Sequence, residues 1–139
     1  MMTINDLIFR VKQATGSDPR LNAEIACAFI FTDCRPADPN DFGGKYGYQP
    51  ESIFIENSGF LLADNFTGSV DDALCLLDRL KPGCFYLLGR GKTRHDEPPY
   101  GAQLMFGSDE ILGFGEAPTM PLAIILALLE AVKADGQTP

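Results

Sequence analysis

The ten consecutive residues Met120–Leu129 carry no polar side chain, and this run constrains the fold more than any other feature of the chain. Thr119 ahead of it and Pro121 in the first turn mark a helix start, and the pattern continues to about Ala134. A helix lying on a surface shows an apolar stripe with a polar reverse, so one that is apolar all round must be enclosed. At a rise of ~1.5 Å per residue, a helix of this length covers only about 24 Å, too short for the ~30 Å core of a bilayer. The expectation is a helix at the centre of the core with one side against a second copy. That makes the chain a homo-oligomer joined through its last helix. Ile125→Glu should then either unfold the chain or release a monomer.

A chain of 139 residues, 45% hydrophobic and 22% charged, fits one globular domain over 1–139 and is too apolar for a disordered tail. Eleven Lys and Arg stand against nineteen Asp and Glu, a net charge of -8, which repels a phosphate backbone and counts against nucleic-acid partners. The first six residues, Met1 to Asp6, show no basic segment followed by an apolar one, so neither export nor a membrane partner is expected. The gaps between Cys27, Cys34, Cys75 and Cys84 fit no zinc knuckle, and in a reducing cytoplasm all four are expected to remain thiols. No metal site is expected.

The local signals are ordered along the chain. Thr3 with Asp6 three residues on reads as a helix cap, and Ile4, Leu7, Ile8 and Val11 form one apolar stripe. Asp18-Pro19 restarts a helix that buries Leu21, Ile25, Ala28 and Phe29. Residues 32–52, rich in Pro, Gly and aromatics, read as a long exposed loop. In it Phe42, Tyr46 and Tyr48 interleave with Gly43, Gly44 and Gly47, so the rings either tuck onto the body or line a pocket. Asn57-Ser58-Gly59 separates two short strands as a hairpin. Ser69, with Asp72 at the box position, caps a helix whose stripe is Val70, Ala73, Leu74, Leu77 and Leu80. The bulky run Cys84–Leu88 reads as a buried strand, and Ala102–Phe106 and Ile111–Gly115 complete an antiparallel meander. The fold class is α+β in the order α-α-β-β-α-β-β-β-α, with helices packed on both faces of a small, mainly antiparallel sheet.

Gly89-Arg90-Gly91-Lys92-Thr93 ends like a phosphate-binding loop, but Tyr86 stands where that loop needs its first glycine. Pro98 and Pro99 follow where a helix would have to aim its amides at a phosphate. The same stretch has a milder reading. Arg90, Lys92 and Arg94 alternate with His95 beside them, so an extended hairpin would present them on one face to a phosphate or carboxylate, with Tyr46 and Tyr48 as pocket walls. A solvated hairpin tip whose charges block edge pairing accounts for the same residues. The acidic pairs Asp71-Asp72, Asp96-Glu97 and Asp109-Glu110 do not share a helix face and offer no acid/base pair. No nucleophile elbow or zinc helix occurs, so no catalytic residues and no cofactor are assigned, and an enzyme is the minority reading. The helix-strands-helix order from Ser69 matches a double-stranded-RNA-binding domain. The apolar start of the last helix, Ala117-Pro118-Thr119-Met120-Pro121-Leu122, lacks the lysines such a domain uses to grip phosphates.

Three segments, in order and at the expected spacing, carry a resemblance to a known family. They are Asp6-Leu7-Ile8 through Leu21-Asn22-Ala23-Glu24-Ile25-Ala26, then Phe66-Thr67-Gly68-Ser69-Val70-Asp71-Asp72-Ala73-Leu74, then Ala117-Pro118-Thr119-Met120-Pro121-Leu122-Ala123-Ile124. From Asp6 to Ala134 the chain resembles the phage αβα-sandwich domain of tailed phages and prophages. The resemblance implies an αβα sandwich, a phage or prophage origin in the cytoplasm of a bacterial host, a phage or host protein as partner, and no established activity. The leading expectation is an accessory protein that binds another protein or its own copy without catalysis. The alternative is a pocket for a small anionic, nucleotide-like ligand, and an enzyme of unknown class stands third.

Overall fold

The computed structural model describes residues 2–42, 48–91, 98–106 and 110–136. Thr3 caps the first helix, α1 (Ile4–Gln13), with both bonds of a capping box: Asp6 N–H donates to Thr3 Oγ1 and Thr3 N–H donates to the Asp6 carboxylate. Its stripe Ile4, Leu7, Ile8 and Val11 is buried as the spacing requires. Asp18 caps α2 (Pro19–Phe29), accepting a bond from Leu21 N–H, with Pro19 at the first helical position. Ser69 caps α3 (Val70–Leu80) in the same way through Asp72 N–H. The Asp72 carboxylate does not close a box there; it accepts from Asn65 N–H.

Residues 32–42 are more ordered than their composition suggested. Cys34–Pro36 forms a strand, β1, and Pro39–Phe42 a single 3₁₀ turn. β1 pairs antiparallel with β2 (Ser52–Ile55), which pairs with β3 (Gly59–Leu62) across a turn that holds Asn57 and Gly59 at positive φ of 68° and 97°. Ala37, just past β1, is fully buried, and its carbonyl accepts from Arg20 on α2. Three residues ending in proline carry too weak a strand signal to stand out without their partner, which lies far along the chain.

The meander is present as β4 (Phe85–Arg90), β5 (Tyr100–Phe106) and β6 (Glu110–Ala117). The α+β class therefore holds, with four α-helices and two three-stranded antiparallel sheets among the described residues. Helix α4 (Met120–Ala134) packs across β5 and β6 on one side and against α1 and α3 on the other. One chain encloses it, with Leu122, Ala123, Ile124, Ile125, Ala127 and Leu128 all fully buried. Among the described residues, the chain itself thus covers the apolar run that suggested a second copy, while Lys133 and Ala134 at the end of α4 stay exposed.

Contact between α4 and β6 is made backbone to backbone. A Cβ at Gly115 would lie 2.6 Å from Ala123 O and 2.7 Å from Ala127 N, and one at Gly113 would strike Ala127 O and Ala131 N. Ala123, Ala127 and Ala131, spaced by four, form the helix face that meets these glycines. A separate polar joint ties the α1–α2 corner to residues 65–67. Buried Asn22 Oδ1 accepts from Thr67 N–H (2.9 Å) and Thr67 Oγ1 (2.7 Å), while Asn65 Oδ1 accepts from Asn22 Nδ2 (3.0 Å) and Ser17 Oγ (2.9 Å). Asn65 and Thr67, which match a glycosylation sequon, hold this corner together.

Two substitutions test the arrangement. Gly115→Ala should lower stability in urea by about 1–3 kcal/mol through overpacking, read as a lower midpoint with an unchanged slope. Ile125→Glu should abolish cooperative unfolding rather than release a folded monomer, because it buries an unpaired charge.

Candidate functional site

One surface departs from the usual rule that a strand of bulky apolar residues is covered. Cys84–Leu88 was expected as a buried strand, yet every residue of β4 is exposed. The physical reason is width: α4 covers β5 and β6, and β4 overhangs the helix as an edge strand with no further partner among the described residues.

Pairing register fixes which side chains share the outer face, away from α4. On the inner face Ala102 and Leu104 of β5 alternate with Gly113, Gly115 and Ala117 of β6, all buried. The outer face has three rows across the strands: Phe85, Met105 and Ile111; then Leu87, Gln103 and Phe114; then Gly89, Gly101 and Glu116. A bulge leaves Leu112 without a partner between Gly113 and Ile111, which keeps Ile111 in the first row. Phe85 is 63%, Leu87 58%, Ile111 60% and Phe114 52% exposed. Over the third row lies an open depression of about 360 Å³ bounded by Leu87, Arg90, Gln103, Phe114 and Glu116.

Of the six residues expected at an anion pocket, Lys92, Arg94, His95 and Tyr46 lie outside the described residues. Arg90 ends β4 exposed, its guanidinium 5.6 Å from the centre of the Tyr100 ring. Tyr48 is elsewhere, in an aromatic cluster on the β1–β3 sheet. Its ring is 6.2 Å from Phe42, which lies 4.6 Å from Phe60, which in turn lies 5.3 Å from Phe54. Phe42 and Tyr48 therefore tuck onto the body, and Tyr48 does not line the depression beside Arg90. Arg35 stacks over Phe54 at 4.8 Å and grips Asp41 with two bonds of 2.7 and 2.9 Å. The Arg35 guanidinium, helped by Asp38 N–H, pulls the Asp41 carboxyl down to about 2.

A second crevice, of about 220 Å³, is bounded by Met2, Glu24, Cys27, Ala28 and Cys34. Burial and the adjacent Cys34 thiol push Cys27 well above its ordinary range, so it stays protonated and is a poor nucleophile. Cys34 Sγ donates to the Phe31 and Cys27 carbonyls at 3.5 and 3.8 Å, and both cysteines are free thiols.

Comparison with known proteins gives one solved structure to report, the crystal structure of a phage protein from Bacillus cereus. The two share a TM-score of 0.50 and 16% identity over 87% of this chain and 93% of that one. The likeness is one of fold. No protein-family model matches the chain, and no curated protein does.

The outer face was absent from the sequence expectations because Glu116 is the one charged residue in its three rows and no motif draws notice to them. The available signal was the glycine pair Gly89 and Gly101 beside bulky strand residues, which becomes legible only with the register.

Because Asp41 is depressed, its ion pair with Arg35 is present above the ordinary carboxylate range and is lost as pH falls toward 2. A carboxyl-carbon NMR titration should place the Asp41 midpoint at about 2. Arg35→Gln should move that midpoint most of the way back to the ordinary value of 3.8.

Proposed function

We propose that this chain is a phage-type accessory protein, acting without catalysis in a bacterial cytoplasm, whose work is to bind protein through the outer face of β4–β6. The observation that carries the reading is the exposure of Phe85, Leu87, Ile111 and Phe114 on one face, contiguous with the free edge strand β4. Contiguous apolar surface of this kind marks a contact site when it is larger than the scattered residues every protein exposes. Native sheets guard free edges with charge, proline or bulges, and Phe85–Leu88 has none of these. The face is also poor in charge, with Glu116 as its one ionised side chain among the three rows, as the centre of a protein contact requires.

The fold shared with a phage protein supports the phage-type part of the reading. Among the described residues no helix is long and apolar enough to cross a membrane.

Leu87→Lys combined with Phe114→Lys should leave the far-UV circular dichroism unchanged, since both positions are solvated in the chain. Loss of the helical signal would mean that the face holds the fold together and is no binding surface. In a thermal-shift panel of nucleotides and inorganic phosphate, the melting temperature should stay constant. A rise that follows ligand concentration and disappears in Arg90→Ala would give precedence to the anion pocket.

A further inference from the structure

Glycine inside a strand loses more backbone entropy on folding than any other residue and packs nothing, so it is retained where conformation or crowding excludes a side chain. Gly59 and Gly83 have positive φ of 97° and 81°, and Gly113 and Gly115 admit the backbone of α4. Neither reason applies to Gly89 and Gly101, which are paired with each other on the outer face. Both lie outside the positive-φ region. A Cβ at Gly89 would meet nothing within 4 Å, and one at Gly101 would touch only Gly115 O, at an ordinary 3.8 Å. Among the described residues nothing requires glycine at either position. A surface approaching this part of the sheet from outside would.

We infer that the surface is a second copy of this chain, stacked outer face to outer face so that Phe85 and Met105 of each copy fill the hollow over Gly89 and Gly101 of the other. This rests on the reading of the face as a protein contact and names its partner. Successive rows are about 6.8 Å apart along the strands. A two-fold axis along the middle row, Leu87–Gln103–Phe114, lays the first row of one copy over the third row of the other. Phe85 and Met105 then meet Gly89 and Gly101 reciprocally, and Ile111 lies against the aliphatic stem of Glu116 at the β6 end, so one patch serves both copies, as an isologous contact demands.

Gln103 meets its own counterpart, and its amide offers a donor and an acceptor to an identical group. Glu116 stays at the rim, where water reaches it. The five apolar side chains of the first two rows, each offering on the order of 100 Å² given ~150–250 Å² for a whole aromatic, supply on the order of 500 Å². Glycine backbone, Gln103 and the rim bring this close to the ~800 Å² each partner buries in a standard interface. A strand edge-to-edge dimer through β4 would leave most of this area wet. It would also leave both glycines without a reason.

The test is a molar mass by light scattering across a micromolar dilution series, on the full chain and two variants. The unaltered chain should show the mass of two copies. Gly101→Val, which fills the hollow and suits a strand, should keep the circular dichroism and weaken dimerisation by about tenfold or more. Adding Met105→Ala to Gly101→Val removes the opposing bulk and should restore the dimer. A mass of one chain at every concentration would overturn the second copy as partner, while leaving the face open to a different protein. A two-copy mass indifferent to Gly101→Val, or a Gly101→Val defect that Met105→Ala does not repair, would overturn the proposed register.

Discussion

Close contact between α4 and β6 sets the geometry of the rest. Gly113 and Gly115 let the helix backbone reach the sheet, and Ala123, Ala127 and Ala131 keep the opposing helix face thin enough to meet it. With that distance short, α4 also packs against β5, α1 and α3, and burial of its bulky Leu and Ile side chains yields most of the stabilisation. The helix is apolar all round because it has sheet on one side and helices on the other.

The same contact accounts for what is left uncovered. A single helix about 10–12 Å across covers roughly two strands spaced ~4.8 Å apart, and α4 lies across β5 and β6. β4 is the third strand and falls outside that footprint. Its apolar side chains are exposed on both faces, and on the outer side they join Met105, Ile111 and Phe114 in one patch. The core of the chain and its bare apolar surface are thus two consequences of where one helix can fit. The β1–β3 sheet resolves the same difficulty differently: the 39–42 turn folds back so that Phe42 stacks on Phe60, and Arg35 covers Phe54.

Features carried by a few neighbouring residues were legible in the sequence. Thr3, Asp18 and Ser69 cap helices because a short oxygen side chain can reach a backbone N–H three residues on, whatever the rest of the molecule does. The start of α4 followed from Pro121 in its first turn, although Thr119 makes no side-chain cap bond, and the meander from apolar runs separated by turn residues. Where partners are distant in sequence, the reading was incomplete. Strand β1 is three residues long and exists through pairing with β2, and Asn22 is buried because Thr67 and Asn65 arrive from elsewhere in the chain. The apolar run of β4 was read as a sign of cover, but apolarity records only what a residue would gain from burial. Two of the six residues expected at an anion site, Arg90 and Tyr48, are described: Arg90 ends β4, whereas Tyr48 lies ahead of β2 beside Phe42.

By itself the sequence determined the α+β class, the helix starts, the antiparallel meander and the enclosure of α4, since each depends on local capping or on periodicity that one segment carries alone. Tertiary structure decided that α4 is enclosed by its own chain, that β4 is left bare, and that Gly113 and Gly115 admit the helix backbone while Gly89 and Gly101 lie open on the other face. Those outcomes depend on how wide one element is when laid against another and on which faces the register aligns. Such quantities arise only when distant segments meet in space.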